Sequence, residues 1–430
     1  MSKKKCTKNT TYNESERILS KKTADAALLN MAKAETSSPF YKKLTEMCES
    51  FISKSKTVVY GGTAINAILP DTLKFYNPEI DIPDYDIYSP TPIEHSKKIV
   101  DLFLKAGFEH AEAKSAVHFG TYKVYVDFAA VLDITYMPEK LFKLVKKNAL
   151  KKDGMLFCHP DLLRQSIYFE LSNTGGNVGR WEKILPRLHL LNEAYPVEKV
   201  KCKELNVHIE SAPIDDELKK VLESVMISEK VVFLGGLAHS YYLPAMSPSL
   251  KTESPGYYDI IVLEPKLFLE MLMQKLKEEG YKNVRAVKHA AVGELLGVYY
   301  ELQVENNVVL NIFEAIQCYA YNEVKKDKVK IRIASFDTLL SFYFAFLYAE
   351  LPHFDTDRIM CMANMLFEVM QENIRKQNGP LKRFPLNCYG KQSSLRSIKA
   401  KKWQLKKTLT KGTLAYKRWF FRYSPLTENA

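Results

Sequence analysis

Apolar residues recur every three to four positions near the start of the chain. Leu28, Leu29, Met31 and Ala32 predict a helix with one side turned toward a core. The next stretch, SPFYKKLTEMCESFISKS, repeats that spacing with Phe40, Leu44, Cys48 and the Phe51/Ile52 pair. The period then shortens. Residues 57–60 read as a short apolar strand, Gly61-Gly62 ends it, and a helix runs over 63–69. After a Pro-containing loop, DYDIYS reads as a strand. PIEHSKKIVDLFLKAGF is a helix with Pro92 at its start and Gly107 just past its end. HFGTYKVYVDF alternates as a strand, and AAVLDITYMP is another, stopped by Pro138. Helical patterns over 139–147, 160–172 and 180–195 follow.

The second half writes the same order again. A helix over 215–226 leads to a strand over 230–234, then Gly235-Gly236, a helix, the strand YYDIIVL, a helix through KLFLEMLMQKLKEEG, and paired strands around GVYYELQVENNVVLNIFEAI. Gly62 lies 24 residues before Asp86, and Gly236 lies 23 before Asp259. VLDI at 131–134 matches VLNI at 309–312. A repeat near 174 residues is a duplicated domain rather than a solenoid. The expected blocks are a helical segment at 1–55, domains at 56–200 and 201–375, and a basic region at 376–430.

Charge sharpens that last block. The chain carries +12, but residues 375–430 hold fifteen Lys/Arg against one acid, Glu428. The other 374 residues sum to −2, so the basicity is local, as in a polyanion footprint. Trp403, Tyr416, Trp419, Phe420, Phe421 and Tyr423 interleave with these charges, which favours nucleic acid over a merely solvated surface. Seven scattered cysteines show no C-x-x-C spacing and suit a reducing compartment. The first twenty residues have no apolar stretch for a signal peptide. LLSFYFAFLYAEL is too short to span a bilayer and reads as a buried helix. A soluble, cytoplasmic protein with no membrane partner is expected.

Chemistry gathers in the first repeat. Paired glycines between strand and helix let a phosphate approach the backbone, beside the positive end of a helix dipole. Such pairs also make ordinary turns. Asp84 and Asp86, at i and i+2 on a strand, would share one face. Two like charges side by side ask for a counter-charge, which a divalent ion supplies. A third carboxylate would come from Asp127 or Asp133. An unpartnered acid inside an apolar strand is costly, so Asp133 is favoured for a ligand and Asp127 for the hairpin turn. GRWEKILPRLHLL sets Arg180, Lys183 and Arg187 on one helix face, as a phosphate clamp or a solvated stripe. Trp181 reads better as core than as a base-stacking platform. His118 and His159 lack partners at metal-ligand spacing.

Strand–Gly-Gly-Thr–helix, D-x-D on a strand, then Asp on another strand resembles the nucleotidyltransferase superfamily typified by DNA polymerase beta. YGGTAINAIL, PDYDIYSP, GFEHAEAKSAVHFGTYKVYVDF, VLDITYMP and HPDLLRQSIYFELS are similar to the poly(A) polymerase catalytic subunits of large cytoplasmic DNA viruses (asfarvirus, mimivirus and poxvirus types). That resemblance runs over about 20–390 and is strongest over 57–196. It implies an α+β fold with two tandem polymerase-beta-like domains, the first active and the second degenerate. It implies template-independent addition of AMP from ATP to RNA 3′ ends, with Mg²⁺ or Mn²⁺ held by Asp84, Asp86 and Asp133. Gly61, Gly62, Thr63, Arg180 and Lys183 would contact the nucleotide. Arg187, Arg396, Lys401, Lys402, Lys406 and Lys407 would meet RNA. A homodimer or a viral processivity subunit would be the partner, in the host cytoplasm or the virion.

In the second copy, aligning Asp86 with Asp259 sets Tyr257 against Asp84 and Asn311 against Asp133. Asn can bind a metal but brings no charge. Base choice is not written in these residues. A CCA-adding or uridylyl-transferring enzyme, or a non-catalytic RNA-binding protein on the same fold, stays open beside the polymerase.

Overall fold

The computed structural model describes residues 10–197, 214–242, 256–326, 328–349, 355–373, 381–392 and 394–425. Of the seven cysteines, Cys6 and Cys202 lie outside them, as do Arg375 and Glu428 of the basic block. The elements begin with α1 (Tyr12–Ser37), α2 (Pro39–Ser55), β1 (Val58–Tyr60), α3 (Gly61–Ile68), β2 (Tyr85–Ser89), α4 (Pro92–Lys105), β3 (Ala111–Ser115), β4 (Thr121–Val126) and β5 (Ala129–Tyr136). Next come α5 (Glu139–Lys147), β6 (Leu150–Lys152), β7 (Met155–Phe157), α6 (Pro160–Leu171), α7 (Trp181–Ala194), α8 (Asp216–Ser228), β8 (Val232–Leu234), α9 (Gly235–Tyr242), β9 (Tyr258–Val262) and α10 (Pro265–Glu278). The rest are β10 (Val284–His289), β11 (Tyr299–Val304), β12 (Asn307–Glu314), β13 (Tyr319–Lys326), β14 (Val329–Ala334), α11 (Phe336–Phe346), α12 (Thr356–Asn373), β15 (Cys388–Tyr389), α13 (Leu395–Thr408), α14 (Leu414–Phe420) and β16 (Arg422–Tyr423). No helix among the described residues is long and apolar enough to cross a membrane.

The chain packs as two units, and the division cuts across the blocks expected from sequence. The first unit takes residues up to Tyr136, Leu150–Phe157 and everything from Arg418. The second takes Met137–Ala149 and Cys158–Lys417.

In the first unit, eight strands run in the order β16-β3-β4-β5-β2-β1-β7-β6. Strict alternation gives the sheet two different faces. Tyr85, Ile87 and Ser89 of β2, and Tyr122, Val124 and Val126 of β4, are buried. α4 packs on β2, β3, β4 and β5, and α2 on β5 and β7. α2 contributes Leu44, Cys48, Phe51 and Ile52, all buried at helical spacing. Each such side chain stabilises by roughly 1.5–3 kcal/mol. The alternate residues, Asp86, Tyr88, Lys123 and Tyr125 among them, stay half-exposed on the other face.

Three expectations change here. α1 forms, started by a capping box between Thr11 and Glu14, but it buries no residue. Leu28, Leu29 and Met31 are 63%, 44% and 67% exposed, because the helix turns no side toward a core. The strand DYDIYS begins at Tyr85, so Asp84 is an exposed residue just before it. A hairpin, β6–β7, joins the sheet where no strand was anticipated. Its turn is Asp153-Gly154 with φ of 49° and 78°, the dipeptide and geometry of a type I′ hairpin.

The second sheet runs β10-β11-β12-β9-β8-β14-β13-β15. Seven strands repeat the order and direction of the first sheet, with β8, β9 and β12 standing where β1, β2 and β5 stand. Here both faces are covered. β9 is buried at every residue, and so is α11. Inside, Asp337 pairs with Arg383 at 2.8 Å. Cys318 and Cys388 form a disulfide with Cα atoms 5.3 Å apart, contrary to the expectation of unpaired thiols. Their sequence separation of 70 gave no cue. Cys48 and Cys158 are free and buried.

Three of the interleaved aromatics of the basic block, Trp419, Phe421 and Tyr423, find structural work in the first unit. Phe421 is 6% exposed and meets Tyr122 edge-on at 5.5 Å. Trp419 packs on Phe119 at 4.7 Å, and the Tyr423 hydroxyl donates to Asp101 at 2.8 Å. They fasten β16 to β3 rather than standing free for bases. Phe421→Ala is expected to lower stability by about 3 kcal/mol in urea unfolding. A loss under about 1 kcal/mol would show that β16 is held by something other than this ring.

Candidate active site

One row of residues crosses the half-exposed face of the first sheet. Tyr60 on β1 pairs with Asp86 on β2, and Asp86 with Asp133 on β5. Asp133 pairs with Lys123 on β4, Lys123 with Lys114 on β3, and Lys114 with Arg422 on β16. Neighbouring strands lie about 4.8 Å apart, so two acids and then three bases stand in line on adjacent strands.

The acids are held differently. Asp86 sits under the β1–α3 turn: Gly61 has φ +74°, and a Cβ there would fall 2.7 Å from Asp86 Oδ2. Glycine is therefore required twice over, by backbone angle and by space. The N-cap residue Tyr60 gives α3 no side-chain cap, so the helix opens with its first N–H groups at the turn beside Asp86. The Thr63 hydroxyl donates to the Asp84 backbone carbonyl at 2.6 Å. That bond ties the mouth of β2 to the start of α3, and it means Thr63 serves the loop with its hydroxyl. Asp133 accepts from Lys123 Nζ at 2.5 Å. Burial is the largest influence on Asp133 and leaves its carboxyl above the usual range, with Asp84 adding to the rise and Lys123 opposing it. Burial also works against the Lys123 charge, but the Asp133 contact outweighs it and holds the ammonium above its usual range.

Asp127 lies elsewhere. With φ of 46° it forms the β4–β5 hairpin turn with Phe128, and its carboxylate accepts from the His110 N–H at 3.1 Å. Beyond the acids, Tyr60 stacks on Tyr88 at 3.9 Å and hydrogen bonds Thr135 at 2.8 Å. Farther along the row, Glu112 holds both Lys114, at 2.7 Å, and Arg422, at 3.1 Å. Lys123 is the site residue that sequence reading missed; its only trace was a polar position inside the alternating TYKVYV.

The donor set suits a hard cation: carboxylate oxygens, partly dry, with an uncapped helix start alongside. Mg²⁺ commonly takes one or two protein carboxylates and completes its shell with water and substrate phosphate. Among the described residues, no three His, Cys, Asp or Glu side chains close into an ion cage. Lys123 occupies one oxygen of Asp133 instead. On the opposite face of β2, where Tyr85 points, a cavity of about 580 Å³ opens with Asn66, Lys74 and Lys152 among its walls. Glu46, Glu49 and Asp81 line it too, so it has no clear preference for one sign of charge.

The equivalent row in the second sheet reads Leu234, Asp259, Asn311, Glu301, Val287. Strand register therefore sets Asn311 at the place of Asp133. Asn311 Nδ2 donates to Asp259 Oδ1 at 2.9 Å, and Asp259 is 3% exposed. Tyr343, Arg358 and Met362 close over it, leaving a cavity of about 10 Å³.

The other anticipated ligand-binding residues belong to the second unit. Arg180 pairs with Glu170 at 2.8 Å, while Lys183 is exposed and Arg187 half-buried on α7. The Trp181 ring packs on Phe384 at 5.6 Å. α13 buries no residue. Arg396, Lys401, Lys406 and Lys407 are exposed on it, Lys402 is half-buried, and Lys407 lies over the Trp403 ring at 3.4 Å.

Residues 46–176, which contain the whole carboxylate row, match the family model for the poly(A) polymerase catalytic subunit. A putative poly(A) polymerase catalytic subunit of African swine fever virus is 29% identical over 177 residues, 40% of this chain. Its namesake in Acanthamoeba polyphaga mimivirus is 28% identical over 217 residues, 47% of this chain. The chain spans 37% and 35% of the length of these two relatives. The crystal structure of the Megavirus polyadenylate synthase aligns with a TM-score of 0.80 at 20% identity, over 99% of this chain and 88% of that one. At that identity the likeness is one of fold.

Burial pushes the Asp259 carboxyl up to about 7, against Asn311 and Arg358. An unfolded Asp releases its proton near pH 4, so the folded chain keeps a proton that the unfolded chain has lost. The stability this gives is complete below about pH 4 and fades as pH rises toward about 7. Asp259→Asn should flatten the melting temperature across that window and raise it by a few degrees at pH 8. A lower melting temperature at pH 8 would mean that the buried carboxylate is stabilising.

Proposed function

We propose that this protein is a template-independent polynucleotide adenylyltransferase, adding AMP from ATP to RNA 3′ ends. One observation carries the reading: Asp86 and Asp133 are register neighbours on parallel strands, beside Asp84 and an uncapped helix that opens on Gly61. The family match over 46–176 supports it, since all four residues fall inside that stretch. The names of the viral relatives favour adenylate as the group transferred and a host cytoplasm or virion as the setting.

Asp84, Asp86 and Asp133 would hold Mg²⁺ or Mn²⁺. Such ions, when bound, lower the pKa of an attacking hydroxyl and offset charge on the phosphates. The chain's own residues prepare for this. Gly61 lets the backbone come close to Asp86, and the N–H groups of Gly61, Gly62 and Thr63 would donate to phosphate oxygens. Thr63 keeps Asp84 at the strand mouth. The second sheet is read as a duplicated scaffold without chemistry: Tyr257 and Asn311 replace two acids, and α11 and α12 fill the place where a nucleotide would lie. α13, with bases on its exposed side and Ile398 and Leu405 half-buried, is read as an RNA contact.

The direct assay supplies a labelled RNA primer, each NTP in turn, and Mg²⁺ or Mn²⁺. Long ladders with ATP alone are expected; short additions or another base would redirect the reading to another transferase. Asp84→Ala and Asp86→Ala should each abolish extension while RNA binding persists, and Asp259→Asn should keep it. Normal extension by either of the first two would remove the metal assignment. Replacing Lys401, Lys402, Lys406 and Lys407 with Gln should weaken RNA binding and flatten its salt dependence. The log–log slope should fall by about 0.7 for each phosphate that is no longer neutralised. An unchanged slope would take α13 off the RNA path.

A further inference from the structure

We infer that Lys123 is a stand-in cation: its ammonium holds Asp133 beside Asp86 until a divalent ion arrives, and the ion must displace it. This rests on the metal reading above and concerns only what the chain does at that site before loading. Lys123 Nζ lies 2.5 Å from Asp133 Oδ2, one strand away in the row. The bases farther along are engaged elsewhere, since Lys114 and Arg422 share Glu112. Lys123 is thus the base that the row assigns to Asp133.

The second sheet supplies an internal control. At the register position of Lys123 it has Glu301, opposite Asn311. Glu301 takes a hydrogen bond from Gln303 at 2.5 Å, and Asn311 turns to Asp259. Where the second acid is absent, the base is absent too, and its place carries the opposite charge. A lysine kept only to shape the strand would have no reason to vanish with the acid. A lysine that balances two neighbouring carboxylates would.

Lys123 acts through Asp133, so it is a positioning residue, and its effect should be seen in ion affinity as well as in turnover. The experiment titrates the protein, free of ATP and RNA, with Mn²⁺ and follows free Mn²⁺ by electron paramagnetic resonance. Lys123→Met should bind Mn²⁺ about tenfold more tightly than the wild type, because a competitor of roughly one ion pair's strength has gone. Lys123→Arg should resemble the wild type. Lys123→Gln keeps a polar side chain on the exposed face and carries the same expectation as the Met variant. Metal-free Lys123→Met should also melt lower than the wild type and gain more on adding Mn²⁺. Unchanged or weaker Mn²⁺ affinity in both neutral variants overturns the inference. If the wild type binds Mn²⁺ and Asp86→Ala does not, that result leaves the metal reading intact. If the wild type binds none, both fall.

Discussion

Two carboxylates on neighbouring strands repel, and the first sheet is organised around that repulsion. The parallel register of β2 and β5 puts Asp86 beside Asp133. Charges about 5 Å apart at an effective dielectric near 20 oppose each other by about 3 kcal/mol. The sheet answers with Lys123 on the next strand, with a face left half open to water, and with a glycine turn that brings backbone rather than side chain to Asp86. Remove any of these and the pair becomes hard to keep together.

The second sheet shows the same scaffold relieved of the constraint. Asn311 stands between the two acids of that row, Asp259 and Glu301, and donates a hydrogen bond to Asp259. An acid with such a donor beside it can be buried, and Asp259 is. Once burial is tolerable, the face can accept apolar cover, and α11 packs there without one exposed residue. On the second sheet a neutral neighbour for the acid and a closed face occur together. The open face of the first sheet and the closed face of the second go with different residues at three register positions: Tyr60 against Leu234, Asp133 against Asn311, and Lys123 against Glu301.

Much of this was legible in the chain. The glycine pairs, D-x-D and the VLDI/VLNI match marked both sheets, because strand alternation and backbone demands are local properties. What failed was non-local. Nothing near Lys123 announces that Asp133 lies one strand away, since pairing register joins residues by topology rather than by spacing. Cys318 and Cys388 were hidden for the same reason. Leu28, Leu29 and Met31 misled in the other direction: their spacing satisfies a helix, but burial depends on a partner surface that the sequence does not name. The β6–β7 hairpin was a local signal passed over, an Asp-Gly turn followed by the short apolar run Met155–Phe157.

The outermost strand of the first sheet has a bearing on how the protein is made. Ser115 and Phe421 hydrogen bond to each other across 306 residues of chain. At synthesis rates of about 5–20 residues per second, the edge of β3 away from β4 stands unpaired for roughly 15–60 s before β16 exists. During that interval a nascent chain offers a strand edge to whatever is near, including a neighbour on the same messenger. Lys114 and Glu112, charged side chains on that edge, are the kind of residue that discourages such pairing. The sheet that carries the acids is therefore among the last parts of the protein to be finished, although nearly all of it is among the first to be made.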